Sequence, residues 1–187
     1  AGLAGHPVDV DLGAFLSVES FDFDVRFRVD RPALVLLGLD HLLCLVVGSF
    51  SARYLHRERG FVRFHVLLLL MAASVAWVAA AAGLDVLFLG WELLGLASAL
   101  LIAFFHHRPA PSANGLWAYG VYRVTDLGLL MGLALLHHRA GAVDFAGLQA
   151  HVDRGVGLGL VGALLVFAAI GKGGQLPFTG WLPRAME

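Results

Sequence analysis

Hydrophobic and polar positions change rhythm once along the chain, near residue 32. Upstream, "FDFDVRFRVD" sets Phe21, Phe23, Val25, Phe27 and Val29 on one face and charges on the other, the period of a strand. This predicts a short strand or hairpin within an extramembrane segment, residues 1–31, because its charged face needs water. From Ala33 the chain runs in apolar stretches of about 20 residues, the number that crosses a ~30 Å hydrocarbon core. Five spans are predicted: Ala33–Phe50, Phe64–Ala82, Val86–Phe105, Leu116–Leu136, and a fifth that begins near Gly155 and breaks at Gly171, Gly173, Gly174 and Pro177. Each is apolar around most of its circumference, as helices in lipid are. Residues 32–187 are therefore expected to form an all-α transmembrane helix bundle whose last span is a discontinuous helix. Between spans four and five, Phe145, Leu148 and Val152 stand at helical spacing and predict a short interfacial connector.

Composition strengthens the membrane reading. The chain is 59% hydrophobic and 14% charged, with a mean hydropathy of +0.79, beyond an ordinary soluble domain. A net charge of −1 without a basic tract leaves no surface for nucleic acid. The single cysteine, Cys44, lies in an apolar run, so no disulfide framework or Cys-based metal site is expected. The connection "SARYLHRERGFVR" carries Arg53, Arg57, Arg59 and Arg63, whereas the turn "GLD" between spans two and three carries no positive charge. The positive-inside bias puts the Arg-rich loop in the cytoplasm, with Arg26, Arg28 and Arg31 on the opposite side among acidic neighbours. Residue 1 is Ala with no signal-peptide pattern after it, and the chain stops at "WLPRAME" without a polar tail, so a fragment of a longer polypeptide is expected.

Several charges fall inside the spans. At a helix centre such a residue costs roughly 2.5–3.5 kcal/mol, which makes each a functional candidate with a partner to be found. Span one holds Asp40 and His41, span three Glu92, span four Arg123 and Asp126, and span five Lys172. Arg123 and Asp126 are three residues apart and can pair on one helix face, either to hold the bundle together or to serve ion conduction. Glu92 and Lys172 have no partner on their own helices and can pair with each other or with groups elsewhere. Lys172 is the only lysine beside twelve arginines. A desolvated lysine can release its proton, and an arginine cannot. The glycines and Pro177 free backbone groups that are tolerated at membrane depth only inside protein or beside a water-filled cavity. Snorkelling of Lys172 to the interface is the bland alternative. Gly95 and Ala99 offer a close-packing face. His106, His107, His137 and His138 fall at span ends, where side chains are usually solvated, and His65 begins span two; no metal or haem set is read from them. For Asp40 and His41, coupled protonation and a buried hydrogen-bonded pair both stay open.

Three motifs in order, "GWELLGLASALLIAFF", "YRVTDLGLLMG" and "GKGGQLPFTGWLPRAME", resemble the antiporter-like subunits of respiratory complex I (chain L or chain 5 type) and of multisubunit sodium/proton antiporters. The family patterns are similar to GWE-x-x-G-x-x-S-x-x-LI, R-x-x-D and GKSAQ-x-P-x-x-x-WLP-x-AM, and the likeness extends over about residues 28–187, "FRVDRPAL" included. The resemblance implies a multi-pass subunit, in a bacterial inner membrane, of two inverted five-helix repeats, each with a broken helix and a buried lysine, working with other membrane subunits. It implies proton (or Na+) translocation through Lys172, Glu92 and Asp126, supported by Arg123, with Glu92 and Lys172 as a modulated pair. No cofactor or redox chemistry is expected in this chain. Gly173 and Gly174 replace the usual Ser-Ala, Arg184 replaces a usual Asp, and Asp40 is unexpected. These departures leave room for the membrane subunit of an energy-coupled inorganic-carbon pump or of a membrane-bound hydrogenase. A non-conducting scaffold and a haem-bearing subunit are the readings of other classes.

Overall fold

The computed structural model describes residues 7–18, 21–140, 144–153 and 158–186. Two antiparallel strands, β1 (Val8–Val18) and β2 (Phe21–Val29), form the expected hairpin. Their register opposes acid to base, Asp9 to Arg28 and Asp11 to Arg26, so the charged face neutralises itself across the strands. Arg28 donates to Asp9 at 2.7 Å, and Arg26 pairs with Asp24 and, at 3.7 Å, with Asp11. The opposite face carries Phe27 onto the Trp77 ring, 5.2 Å between centroids. Arg26 also accepts a backbone hydrogen bond from Ala82, which ties the hairpin to the end of the second helix.

Helix α1 (Arg31–Tyr54) starts where Asp30 caps Ala33 N at 2.9 Å and Pro32 fills a first-turn position that needs no donor. It is followed by α2 (Phe61–Ala80), α3 (Leu84–Ile102), α4 (Pro109–Ala140), α5 (Phe145–Asp153), α6 (Gly159–Lys172) and the short α7 (Trp181–Arg184). Among the described residues, four helices, α1 to α4, are long and apolar enough to cross a membrane. At 14 residues α6 rises only about 21 Å, less than the ~30 Å of a hydrocarbon core. The expected start of this span near Gly155 lies outside the described residues.

Two boundaries differ from the sequence reading in ways that bear on the site. Helix α4 begins seven residues before Leu116, because Pro109 and Pro111 occupy a first turn whose N–H groups are unpaired in any helix. The α2–α3 turn is Ala81–Gly83 rather than "GLD", and Asp85 belongs to the first turn of α3, where it is buried. Helix α5 is the expected connector, with Phe145 and Val152 exposed and Leu148 on the core.

Helices α3, α4 and α6 enclose the best-buried core, Leu84, Leu129, Leu136, Val161 and Ala168. Gly128 lets α4 and α6 cross with backbone against backbone, since a side chain there would meet the Leu164 carbonyl. In contrast α1 presents Leu42, Leu45, Val46 and Phe50 outward, which fits a lipid or protein neighbour in the membrane.

Candidate functional site

The break after α6 sets the site. Helix α6 ends with Gly173 N bonded to the Ala169 carbonyl and Gln175 N to the Ile170 carbonyl, and Gly174 takes φ +60, a left-handed conformation that suits glycine. Of the two glycines that depart from the family pattern, Gly174 adopts this turn without strain, whereas Gly173, at φ −75, has a conformation open to any residue. Trp181, on α7, folds back and donates its indole N–H to the Gly171 carbonyl at 3.0 Å, capping the freed end of α6. Gly171 sits against Thr125 on α4 so closely that any Cβ would overlap the threonine side chain. Lys172, the last residue of α6, is carried by this crossing into the space between α3 and α4.

There, Lys172 Nζ donates to the Trp91 carbonyl at 2.7 Å and lies 3.6 Å from Asp126 Oδ2. Trp91 donates its indole N–H to the other Asp126 oxygen at 2.6 Å. Arg123 bridges the two carboxylates: it bonds Glu92, and its second nitrogen donates to Asp126 at 3.1 Å. The result is a chain across three helices, Glu92–Arg123–Asp126–Lys172, with two acids and two bases. Their formal charges cancel, which is the condition under which buried ions are tolerated. Aromatic rings wall the cations: Lys172 is 4.6 Å from the Trp91 ring centre and 5.3 Å from that of Tyr122, and Arg123 stacks over Tyr119. Asp126 is 3% exposed and the Lys172 side chain 12%, whereas the Arg123 side chain, 34% exposed, keeps one edge accessible.

Of the two partnerships left open for Glu92 and Lys172, with each other or with groups elsewhere, this geometry shows the second. Glu92 reaches Arg123, and the carboxylate beside the lysine is Asp126, because i,i+3 spacing on α4 puts Asp126 one turn nearer the end of α6. Lys172 does not snorkel; it points into the bundle. Gly95, read as a packing residue, has a more specific place: a Cβ there would stand 3.0 Å from Lys172 Nζ and 3.5 Å from Arg123. Being four residues after Trp91, it leaves the Trp91 carbonyl uncovered for the ammonium. Trp91, Tyr122, Trp181 and Ser98, whose hydroxyl lies 3.3 Å from that of Tyr122, were missed as site residues. Each lies inside one of the quoted motifs, and that adjacency is the signal that could have found them.

Asp40 and His41 are not brought to this chain. Asp40 faces an apolar groove between α1 and α2, with Leu43, Leu68 and Met71 around it, and His41 is exposed 3.7 Å away. His106, His107 and His138 are exposed at helix ends, as expected. His137 is not: it is half-buried, its Nε2 3.7 Å from Asp85 Oδ2.

Broken and continuous helices that share a neutral ion-pair chain define a class, the polytopic membrane subunits with ionisable groups inside the bundle. Residues 81–187 match the family described as NADH:quinone oxidoreductase/Mrp antiporter, TM, and residues 15–65 match NADH-Ubiquinone oxidoreductase (complex I), chain 5 N-terminus. The chain belongs to this NADH:quinone oxidoreductase/Mrp antiporter membrane family, as its three motifs led one to expect. It is 30% identical to NAD(P)H-quinone oxidoreductase chain 5 of Synechocystis sp., over 99% of this chain and 28% of that protein. It is likewise 30% identical to NADH-quinone oxidoreductase subunit L of Escherichia coli, over 94% of this chain and 29% of that one. The structure of the Mrp complex from Dietzia sp. DQ12-45-1b aligns with a TM-score of 0.78 and 26% identity, covering 97% of this chain and 20% of that one. The membrane-bound sulfane sulfur reductase, an archaeal respiratory membrane complex, shares the fold, with a TM-score of 0.72 at 20% identity over 98% of this chain and 28% of its own. The chain spans less than a third of the length of these relatives.

Proposed function

We propose that this chain carries part of a proton path in a multisubunit membrane complex, with Lys172 as the group that accepts and releases the proton. The observation that carries the reading is the placement of the only lysine at the end of a broken helix, inside a charge-balanced chain that crosses three helices. Asp126 stabilises the ammonium, and Arg123 is shared between Asp126 and Glu92. Movement of Arg123 toward Asp126 weakens that carboxylate's hold on Lys172, and movement toward Glu92 strengthens it. Glu92 thus acts on Lys172 through Arg123. A partner that shifts α3 against α4 by a small amount changes which of the two pairings dominates. The hairpin and residues 1–31 stay outside the bilayer, and 32–187 form the first part of an inverted repeat in a bacterial inner membrane, with any redox chemistry in other subunits. Sodium is the second ion that such a carboxylate-lined site can serve.

The test is proton movement into proteoliposomes that carry the intact protein in its native complex. Lys172→Met and Lys172→Arg, at matched assembly, are both expected to lose pumping, since neither side chain can release a proton near neutral pH. Normal pumping in both makes the chain of charges a structural brace and overturns the reading.

A further inference from the structure

Among the described residues, a buried acid–base pair lies outside the central chain. Asp85 is 6% exposed, and its Oδ1 has no hydrogen-bond partner among the described residues. Across from Asp85 Oδ2, at 3.7 Å, stands Nε2 of His137, whose side chain is 22% exposed. The pair joins the first turn of α3 to the last turns of α4, just beneath the hairpin and the Ala81–Gly83 turn. Among the described residues, Asp24 of the hairpin also acts on Asp85.

Helix periodicity relates this pair to the central chain. Asp85 and Glu92 are seven residues apart on α3, and Asp126 and His137 eleven apart on α4. Seven or eleven residues return to within about 20° of the same helix face. The two faces therefore run along one α3–α4 seam, with the central chain at one level and Asp85–His137 at the other. Along α3 the separation is about 10 Å and along α4 about 16 Å. Between them the seam is apolar, with Phe88, Leu129 and Leu133. A carboxylate buried this deeply at the end of such a seam, facing an imidazole with an accessible edge, is suited to proton exchange.

We propose that Asp85 and His137 form a second protonatable station, which exchanges protons between the hairpin face of the membrane and the Lys172 chain. A proton enters on the imidazole, the Nε2–H bond breaks and an Oδ–H bond forms on Asp85, directly after a small side-chain rotation or through one water. Once water enters the seam, the carboxylic acid passes its proton to the Glu92 carboxylate, seven residues along α3 and a member of the central chain, and Asp85 is a carboxylate again, while the neutral imidazole accepts the next proton.

This inference rests on the proton-path reading of Lys172, and the experiment separates the two. Proton pumping by the intact complex is measured across pH 5–9 for wild type, Asp85→Asn, Asp85→Glu, His137→Gln and Lys172→Met. Asp85→Asn and His137→Gln are expected to slow pumping about tenfold and to remove the limb of the pH profile that histidine supplies. Asp85→Glu, which keeps the charge, restores most of the rate with that limb displaced. Should Asp85→Asn fail to assemble, His137→Gln and Asp85→Glu carry the test alone. Wild-type rates and unchanged profiles in these variants, with Lys172→Met inactive, overturn the second station and leave the first reading standing. An active Lys172→Met overturns both.

Discussion

Asp126 is the carboxylate on which the buried charges converge, and Asp126→Asn tests that claim because the amide keeps the shape and, with its oxygen toward Trp91, that hydrogen bond, while it removes the charge and the acceptor that Oδ2 offers Arg123 and Lys172. At 3.6 Å, the attraction between Lys172 and Asp126 is about 4–5 kcal/mol at an effective dielectric of about 20. The Arg123 contact at 3.1 Å is screened more, because its side chain is a third exposed. Removing one member of a buried pair strands the other, which costs about 3–5 kcal/mol. Asp126→Asn is therefore expected to lower the unfolding free energy of the intact protein in detergent by that amount. Lys172→Met should do nearly the same. The double variant leaves the neutral Glu92–Arg123 pair and is expected to recover about 2–3 kcal/mol relative to the sum of the singles. Additivity of the two single changes within about 0.5 kcal/mol would refute the coupling, and with it the idea that these groups form one electrostatic unit.

Other expectations follow from single contacts. Gly95→Val should displace the ammonium from the Trp91 carbonyl and abolish pumping in a complex that still assembles, with Gly95→Ala milder; wild-type rates in the valine variant would mean the contact is incidental. Gly171→Ala drives a methyl into Thr125, whose own Cβ it would overlap, and should destabilise the α4–α6 crossing by about 1–3 kcal/mol; Thr125→Gly, which removes that Cβ, should make the double variant less destabilised than the sum of the singles, and thermal unfolding checks this. In the hairpin, the hydrogen bond from Arg28 holds the Asp9 carboxyl below its ordinary value of 3.8. A lowered folded value means that the stabilisation is present above the unfolded value and is lost as pH falls through the folded one. The protection of the β1 and β2 amides, taken as the ratio of intrinsic to observed exchange rate at each pH, should thus hold at neutral pH and fall slightly below about pH 4, and Arg28→Gln should remove that dependence.

The fold was legible to a large degree because bilayer thickness fixes the length of an apolar run and water fixes where a charged strand face can lie. Residues 33–50 and 64–82 therefore became α1 and α2 within a few positions, and the Phe21–Asp30 alternation became β2. The glycines around Lys172 announced a break in the last helix, since few other residues permit the turn that Gly174 makes. Sequence alone also named the charged residues, because each is expensive in lipid and stands out from its neighbours.

Only the tertiary structure decided who pairs with whom. Spacing along one helix could join Arg123 to Asp126, but whether Glu92 or Asp126 meets Lys172 depends on how α6 crosses α4, and that crossing is set by Gly171 against Thr125 and Gly128 against Leu164. The same holds for Asp85 and His137, which are 52 positions apart and read separately as a turn residue and a solvated end. Their meeting follows from the antiparallel packing of α3 and α4, which brings the start of one helix to the end of the other. Periodicity records which face of a helix a residue occupies; the partner on that face comes from packing between helices, and no single-chain pattern encodes it.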